Sequence, residues 1–335
     1  VEIDIAADIG GTYARFATHA HGRIRHISIR KVSAYPGSFV DALKQYRTEF
    51  CSRHTVKMAV VAVPTAVMPR GTQLEARRGA WVFNRTQIAE TLGIKPQKVS
   101  LINDLQAAAY AVLGLNPQRD FKVVKEGTPA LDAPVLILSI GTGFGIGRLT
   151  SHRQNAKALP SEGSTALMAL PEREDGLTDA IRKVKKDATL RDLLSCRLGI
   201  GTFYAANLVL NGAAHPQNLP PPEIIVARAR EGDLLCRQTL TDFSWALGVC
   251  ASGKAVDPVS LGGIYLMGVQ QKLGSCFDAS AFLKGMDMGT QRCEDVVRRI
   301  PVKLIKREIP AFDGIKFLLR RRPTRQRLAS PANGD

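Results

Sequence analysis

The sequence contains no apolar run of the length a membrane-spanning helix needs, about 18 residues, so no membrane partner is expected. Cysteine is sparse and scattered. The six residues (Cys51, Cys196, Cys236, Cys250, Cys276 and Cys293) include no C-x-x-C pair. That spacing argues against a zinc framework or a set of bridges, and reduced thiols in a cytoplasmic protein are expected instead. The six histidines are equally dispersed. His19 and His21, the one close pair, are read as ordinary surface residues of a polar turn rather than as metal ligands. Two common phosphate-binding signatures are also missing. No frame of Gly141 to Gly147 fits G-x-G-x-x-G followed by a helix, and Ser252-Gly253-Lys254 runs into Ala255, which breaks a Walker A loop. The first residues, Val1-Glu2-Ile3-Asp4, are acidic where a secretory signal would be basic. The chain does not begin with Met, which leaves room for an upstream segment.

What the chain does have is positive charge: 46 Lys and Arg against 30 Asp and Glu, a net +16. Such a field attracts nucleotides, acidic sugars and nucleic acid alike. Part of it is a terminal cluster (Lys316, Arg320, Arg321, Arg322, Arg325 and Arg327), and 320–335 is expected to be a solvated, disordered tail. No aromatic residue interleaves with those arginines, so no specific nucleic-acid partner is expected.

The 335 residues suffice for two domains. Each half contains an apolar strand, a glycine turn and a returning strand: Ile3–Ala7 and Ala14–Thr18 around Asp8-Ile9-Gly10-Gly11-Thr12, then Val135–Ser139 and Gly145–Leu149 around Gly141-Thr142-Gly143. Further strands are predicted at His26–Val32, Met58–Val63, Val99–Ile102, Leu261–Met267 and Val302–Ile305. Helices are predicted at Ser38–Cys51, Asn84–Leu92, Leu105–Leu113, Leu177–Val184, Gly201–Asn211, Pro222–Glu231, Asp233–Val256 and Ala311–Leu319. Gly114–Leu131 and Gly212–Pro222 read as loops. This alternation indicates an α/β protein, and the opening hairpins predict a mixed sheet in each half.

Several residues could carry chemistry. In Gly141 to Gly147 every second residue is glycine, so one strand face is bare and can accept either a ligand or another backbone. Asp8, at a strand end before Gly10-Gly11, suits orientation of Mg²⁺ through waters, and equally suits a turn bonded to its own backbone. Asn103-Asp104 lies between a buried strand and a helix, the usual place for ligand contacts in open α/β sheets. The carboxylate there can act as a general base, and the pair can equally be a helix cap. Glu162, in a Gly/Ser loop, suits two sugar hydroxyls or solvent.

The order of these motifs resembles that of the bacterial-type glucokinases. Asp8 to Ala17 is similar to the first phosphate motif of that family, and Ile140 to Gly145 to the second. Trp81-Val82-Phe83, Leu92-Gly93 and Leu101 to Leu105 resemble its sugar-site segment, Leu159 to Gly163 its sugar loop, and Gly262 to Gly268 its adenosine motif. The likeness is collinear to about Leu319. It implies two ribonuclease-H-like (actin-like ATPase) α/β domains with mixed sheets flanking a cleft. The smaller would span 1–114, completed by helix 311–319, and the larger 115–310. It further implies an ATP-dependent hexose kinase, glucose being the first candidate, and by family habit a homodimer. Asp104 would be the general base for the sugar 6-hydroxyl. Asn103, Asp104, Glu162 and Thr165 would bind sugar. Asp8, Gly10, Gly11, Thr12, Gly141, Thr142 and Gly143 would surround Mg²⁺ and the ATP phosphates, with Asp8 toward the metal and Gly268 toward the adenosine.

The acceptor side departs from the pattern. Gly163-Ser164-Thr165 stands for Gly-Gly-His, Arg191-Asp192 for a segment carrying a sugar-binding glutamate, Arg77-Arg78 for Thr-Asn, Tyr13 for an asparagine and Val269 for a glycine. These changes leave open two alternatives: a kinase-fold sugar or nucleotide binder with little turnover, and a kinase of another hexose. Arg77 and Arg78 could select a charged sugar or form a solvated turn.

Overall fold

The computed structural model describes residues 1–35, 37–70, 73–78, 81–213, 218–290 and 293–321. The side chains of 69–80 lie outside that description, as do residues 322–335, so the expectations for Arg77, Arg78 and most of the tail concern residues outside it. Against the expectation of a tail beginning at Arg320, Arg320 closes the last helix and Arg321 is bonded after it, because each donates to a backbone carbonyl of the chain's body. The strands are β1 (Glu2–Ile9), β2 (Tyr13–Ala20), β3 (Arg23–Lys31), β4 (Thr55–Val63), β5 (Met68–Arg70), β6 (Gln73–Arg78), β7 (Trp81–Asn84), β8 (Val99–Asn103), β9 (Phe121–Lys125), β10 (Val135–Ile140), β11 (Phe144–Leu149), β12 (Ala158–Leu159), β13 (Ile264–Met267) and β14 (Val302–Ile305).

Two of the sheets repeat one plan. The first runs β3-β2-β1-β4-β8 and the second β12-β11-β10-β13-β14-β9. In each, the glycine hairpin is antiparallel, a further antiparallel strand flanks it on one side, and two parallel strands follow on the other. The mixed sheets expected from the paired hairpins are therefore present. The parallel strands are apolar on both faces, because helices cover both sides. In β1, Ile3, Ile5, Ala7 and Ile9 pack with Phe16, Phe39 and Tyr46, while Ala6 packs oppositely with Val60, Ala107 and Ile315.

Local sequence sets the helix ends. Asn84 accepts from the N–H groups of Thr86 and Gln87, and Gly93 closes that helix at φ 70°, a left-handed conformation that costs glycine little. The long helix Leu234–Ala255, capped by Asp233, buries Phe243, Trp245 and Leu247 beneath the second sheet. No helix among the described residues is long and apolar enough to cross a membrane.

Three differences from the sequence reading have simple causes. Gly114–Leu131 contains β9, an antiparallel edge strand whose five residues are too few and too polar to show a pattern. The β5-β6-β7 sheet lies where charged residues hide the alternation. His19 is not a surface residue: it is buried on β2, where its Nδ1 meets Asp4 at 2.9 Å.

The last helix, Pro310–Arg320, packs against helix Asp104–Gly114 so closely that a Cβ on Gly314 would fall 1.7 Å from the Ala107 carbonyl oxygen. At its end Arg320 donates to the Gly22 carbonyl (2.8 Å) beside the first sheet. Arg321 donates to that of Ala156 (3.1 Å) beside the second.

Candidate active site

The parallel register places the ends of β1, β4 and β8 along one edge. Asp8 pairs with Ala62, and Ala62 with Ile102, so Asp8 and Asn103 lie two strands apart, about 10 Å. In the first turn the Gly10 N–H donates to the Tyr13 carbonyl at 2.8 Å. Asp8 is buried, and its cross-strand partner Arg15 donates to its Oδ2 at 3.0 Å. Burial raises the Asp8 carboxyl above its usual range, and Arg15 offsets part of that rise. The Arg15 guanidinium also lies 5.8 Å from the centre of the Tyr13 ring.

The second turn has the same form: the Gly141 N–H donates to the Gly143 carbonyl at 2.9 Å. The Gly141 carbonyl accepts from the Cys196 N–H at 3.0 Å, which ties the turn to the segment after helix Leu190–Leu194. Burial pushes the Cys196 thiol up to about 12, so this cysteine is no nucleophile.

Among the described residues, the N–H groups of Gly11, Thr12, Thr142 and Gly143 donate no hydrogen bond, and a Cβ on Gly143 would meet nothing within 4 Å. Unpaired N–H groups beside open space fit the phosphates of a nucleotide. Asp8 fits an outer role toward Mg²⁺, because one of its oxygens is held by Arg15. Among the described residues no group of three or more His, Cys, Asp or Glu could hold a metal.

The bare face of β11 is occupied by protein. A Cβ on Gly145 would lie 2.6 Å from Leu105 Cδ1, and one on Gly147 3.1 Å from the Leu105 carbonyl oxygen. Helix Asp104–Gly114 thus starts at the edge of the first sheet and rests, through Leu105, on the strand that leaves the second turn. Of the two uses left open for the glycine run, packing takes Gly145 and Gly147, and open space remains at Gly143.

Asn103 is the cap of that helix. Its Oδ1 accepts from the Leu105 N–H (2.9 Å), and Gln106 Oε1 accepts from the Asn103 N–H (3.0 Å). Its Nδ2 donates one hydrogen to the Thr65 carbonyl at 3.2 Å, so one donor remains for a ligand. Asp104 Oδ1 also accepts from the Leu105 N–H, at 2.8 Å.

The segment likened to the family's sugar loop follows β12. Gln106 Nε2 donates to the Ala158 carbonyl at 2.9 Å, tying the loop's entry to the Asp104 helix. Glu162 is exposed and reaches no side-chain partner among the described residues, whereas Thr165, also exposed, spends its hydroxyl on the Glu162 carbonyl at 2.9 Å. Thr165 therefore shapes its own turn. Beyond it, the Leu190 N–H donates to the Ala166 carbonyl (2.9 Å), which sets exposed Arg191 on the helix behind the loop. Gly268 has φ 82°, and a Cβ there would lie 2.0 Å from the Ile140 carbonyl oxygen, so the adenosine motif abuts the second turn.

One helix thus carries Asn103 and Asp104 at its start, packs Leu105 on the strand after the second turn and bonds Gln106 to Ala158 before Glu162. The sequence reading missed Gln106, Arg15 and Thr65. Gln106 was legible as the third residue after a cap, and Arg15 as the hairpin partner of Asp8. Nothing in sequence marked the Thr65 carbonyl.

Comparison with known proteins agrees. The family model described as Glucokinase matches residues 5–322. The chain is similar to a glucokinase of Chromobacterium violaceum, 30% identical over 315 residues, covering 93% of this chain and 87% of the other. It is 31% identical over 318 residues to the bifunctional protein glk of Paraburkholderia xenovorans, covering 94% of this chain. The chain spans about half the length (48%) of that relative. Among solved structures, the glucokinase from an Antarctic psychrotroph superposes with a TM-score of 0.77 at 24% identity, covering 96% of this chain and 100% of the other. A ROK family glucokinase from Streptomyces griseus in complex with glucose and AMPPNP gives 0.60 at 15%, with 94% and 98% covered. Both share the fold of two mixed sheets.

Proposed function

The chain belongs to the glucokinase family, and from that membership we propose that it is a hexose kinase, moving the γ-phosphoryl group of ATP to the 6-hydroxyl of a hexose, with glucose as first candidate. The observation that carries this reading is the helix Asp104–Gly114. It rests on the bare strand behind one glycine turn and carries at its tip a carboxylate and an amide suited to a sugar.

In this reading the unpaired N–H groups of Gly11, Thr12, Thr142 and Gly143 orient the nucleotide phosphates. Asp8 and Arg15 fix the charge beneath the first turn. Mg²⁺, when bound with ATP, neutralises charge on the transferring group. Asn103 and Glu162 orient sugar hydroxyls. Asp104 accepts the 6-hydroxyl proton as that oxygen bonds to the γ-phosphorus, and the bond from that phosphorus to the bridging oxygen breaks to release ADP. Positioning and charge stabilisation supply most of the acceleration.

A coupled ADP-release assay over a panel of hexoses, with Mg²⁺ and ATP, tests the reading. Sugar-dependent turnover within ~1–10³ s⁻¹ is expected. No turnover with any hexose at high protein concentration would reject it in favour of a binding protein. Turnover confined to another hexose would reassign the acceptor.

A further inference from the structure

A cavity of about 560 Å³ lies on the second half of the chain and shares no residue with the glycine turns, Asp104 or the sugar loop. Its volume is within the ordinary range for small-molecule sites. Three pieces of chain build it: the end of helix Pro222–Glu231, the start of helix Leu234–Ala255, and the segment Ser275–Ala279.

Its chemistry is asymmetric. Leu240 and Phe277 form an apolar part, while Arg230 and Arg237 bring two cations from successive helices. Neither arginine has a carboxylate partner among the described residues. Arg237 is braced, because its Nε donates to the Ala229 carbonyl at 3.0 Å and its terminal nitrogens remain available. Arg230 has room made for it: Gly274 sits at φ 58°, and a Cβ there would lie 3.1 Å from Arg230 Nη2. The one acid in the lining, Asp278, is already engaged by the Ala281 N–H (2.9 Å) and the Thr241 hydroxyl (3.1 Å). The Ser275 hydroxyl is a further free donor.

We propose that this cavity binds a small phosphate-bearing metabolite, its phosphoryl oxygens on Arg230, Arg237 and Ser275 and its organic part against Leu240 and Phe277. Two guanidinium forks on different helices suit a tetrahedral group with three free oxygens better than a planar carboxylate, which one fork satisfies. The occupant would lie close in sequence to the nucleotide half, because Gly274–Asp278 follows the short helix Val269–Lys272 that starts at Gly268.

Calorimetry with glycerol 3-phosphate as probe tests this, on the full chain saturated with a non-hydrolysable ATP analogue, with malonate as the carboxylate arm. One saturable site is expected, and Arg230→Gln/Arg237→Gln should weaken it about tenfold or more. The affinity for the ATP analogue should not change in that variant, and its melting temperature should fall only by the few degrees that the lost Arg237–Ala229 bond accounts for. Absence of a saturable site, or binding unaffected by the double variant, overturns the proposal; malonate binding as tightly as the phosphate probe overturns its phosphate class. Phosphate captured by the glycine turns would persist in the double variant, so the outcome does not depend on the kinase reading.

Discussion

The flank of the second glycine turn and the loop that carries Glu162 are held by different forces. Beside the second turn, packing dictates the residue: a side chain at Gly145 would strike Leu105, and one at Gly268 would strike the Ile140 carbonyl. In the sugar loop nothing packs on Glu162, and Thr165 bonds only to its own turn. The fold itself requires glycine at 145 and 268, beside the second turn, whereas Gly10, Gly141 and Gly143 within the turns have room for a Cβ. In the loop no packing constrains the exposed side chains of Glu162 and Thr165.

That contrast can be broken by substitution. Gly268→Ala should have the largest effect on stability, about 3 kcal/mol or more, since it combines a strained φ with a backbone clash. Urea unfolding measures it, and a loss under about 1 kcal/mol would mean that packing does not hold the second turn. Gly145→Ala should cost less, about 1–3 kcal/mol, because the obstacle is a movable leucine side chain. It should lower kcat by displacing Asp104, and Leu105→Ala in the same chain should restore part of the stability. Purely additive losses would contradict the contact.

Glu162→Gln should behave in the opposite way. Its stability should stay within about 0.5 kcal/mol of the parent, while the hexose KM rises about tenfold. An unchanged KM would remove Glu162 from the acceptor site.

The smallest effect concerns what anchors the chain after the loop. Asp242, buried in the long helix, accepts from Arg173 at 2.9 Å, from Asn207 at 2.9 Å and from Gln238 at 3.1 Å. Burial raises its carboxyl above the ordinary 3.8 despite these partners. The folded chain therefore keeps this proton at pH values where the unfolded chain has lost it, and stability falls as pH rises from 3.8 through the raised value, then levels. Asp242→Asn should flatten that part of the stability profile relative to the parent; an unaltered slope would show that Asp242 titrates normally.

The same division of forces explains what the sequence revealed. The paired hairpins, the mixed sheets and the cap at Asn103 were legible because each rests on local chemistry: glycine turns, strand alternation, a side-chain oxygen before a helix. Spacing could not say which glycines face solvent and which lie under a helix, so Gly143 and Gly145 looked alike until Leu105 separated them. His19 was misread because its partner, Asp4, is fifteen residues away across a hairpin. The Thr65 carbonyl under Asn103 carries no sequence signal at all.

The central claim is that Asp104, held on the helix that joins the two sheets, is the base. Asp104→Asn keeps an oxygen that can accept from the Leu105 N–H, so the helix start should survive. With sugar and ATP-analogue affinities measured alongside kcat, both affinities should stay unchanged and kcat should fall ~10²–10⁴-fold. A folded Asp104→Asn chain that binds both ligands and keeps most of its kcat would contradict the account.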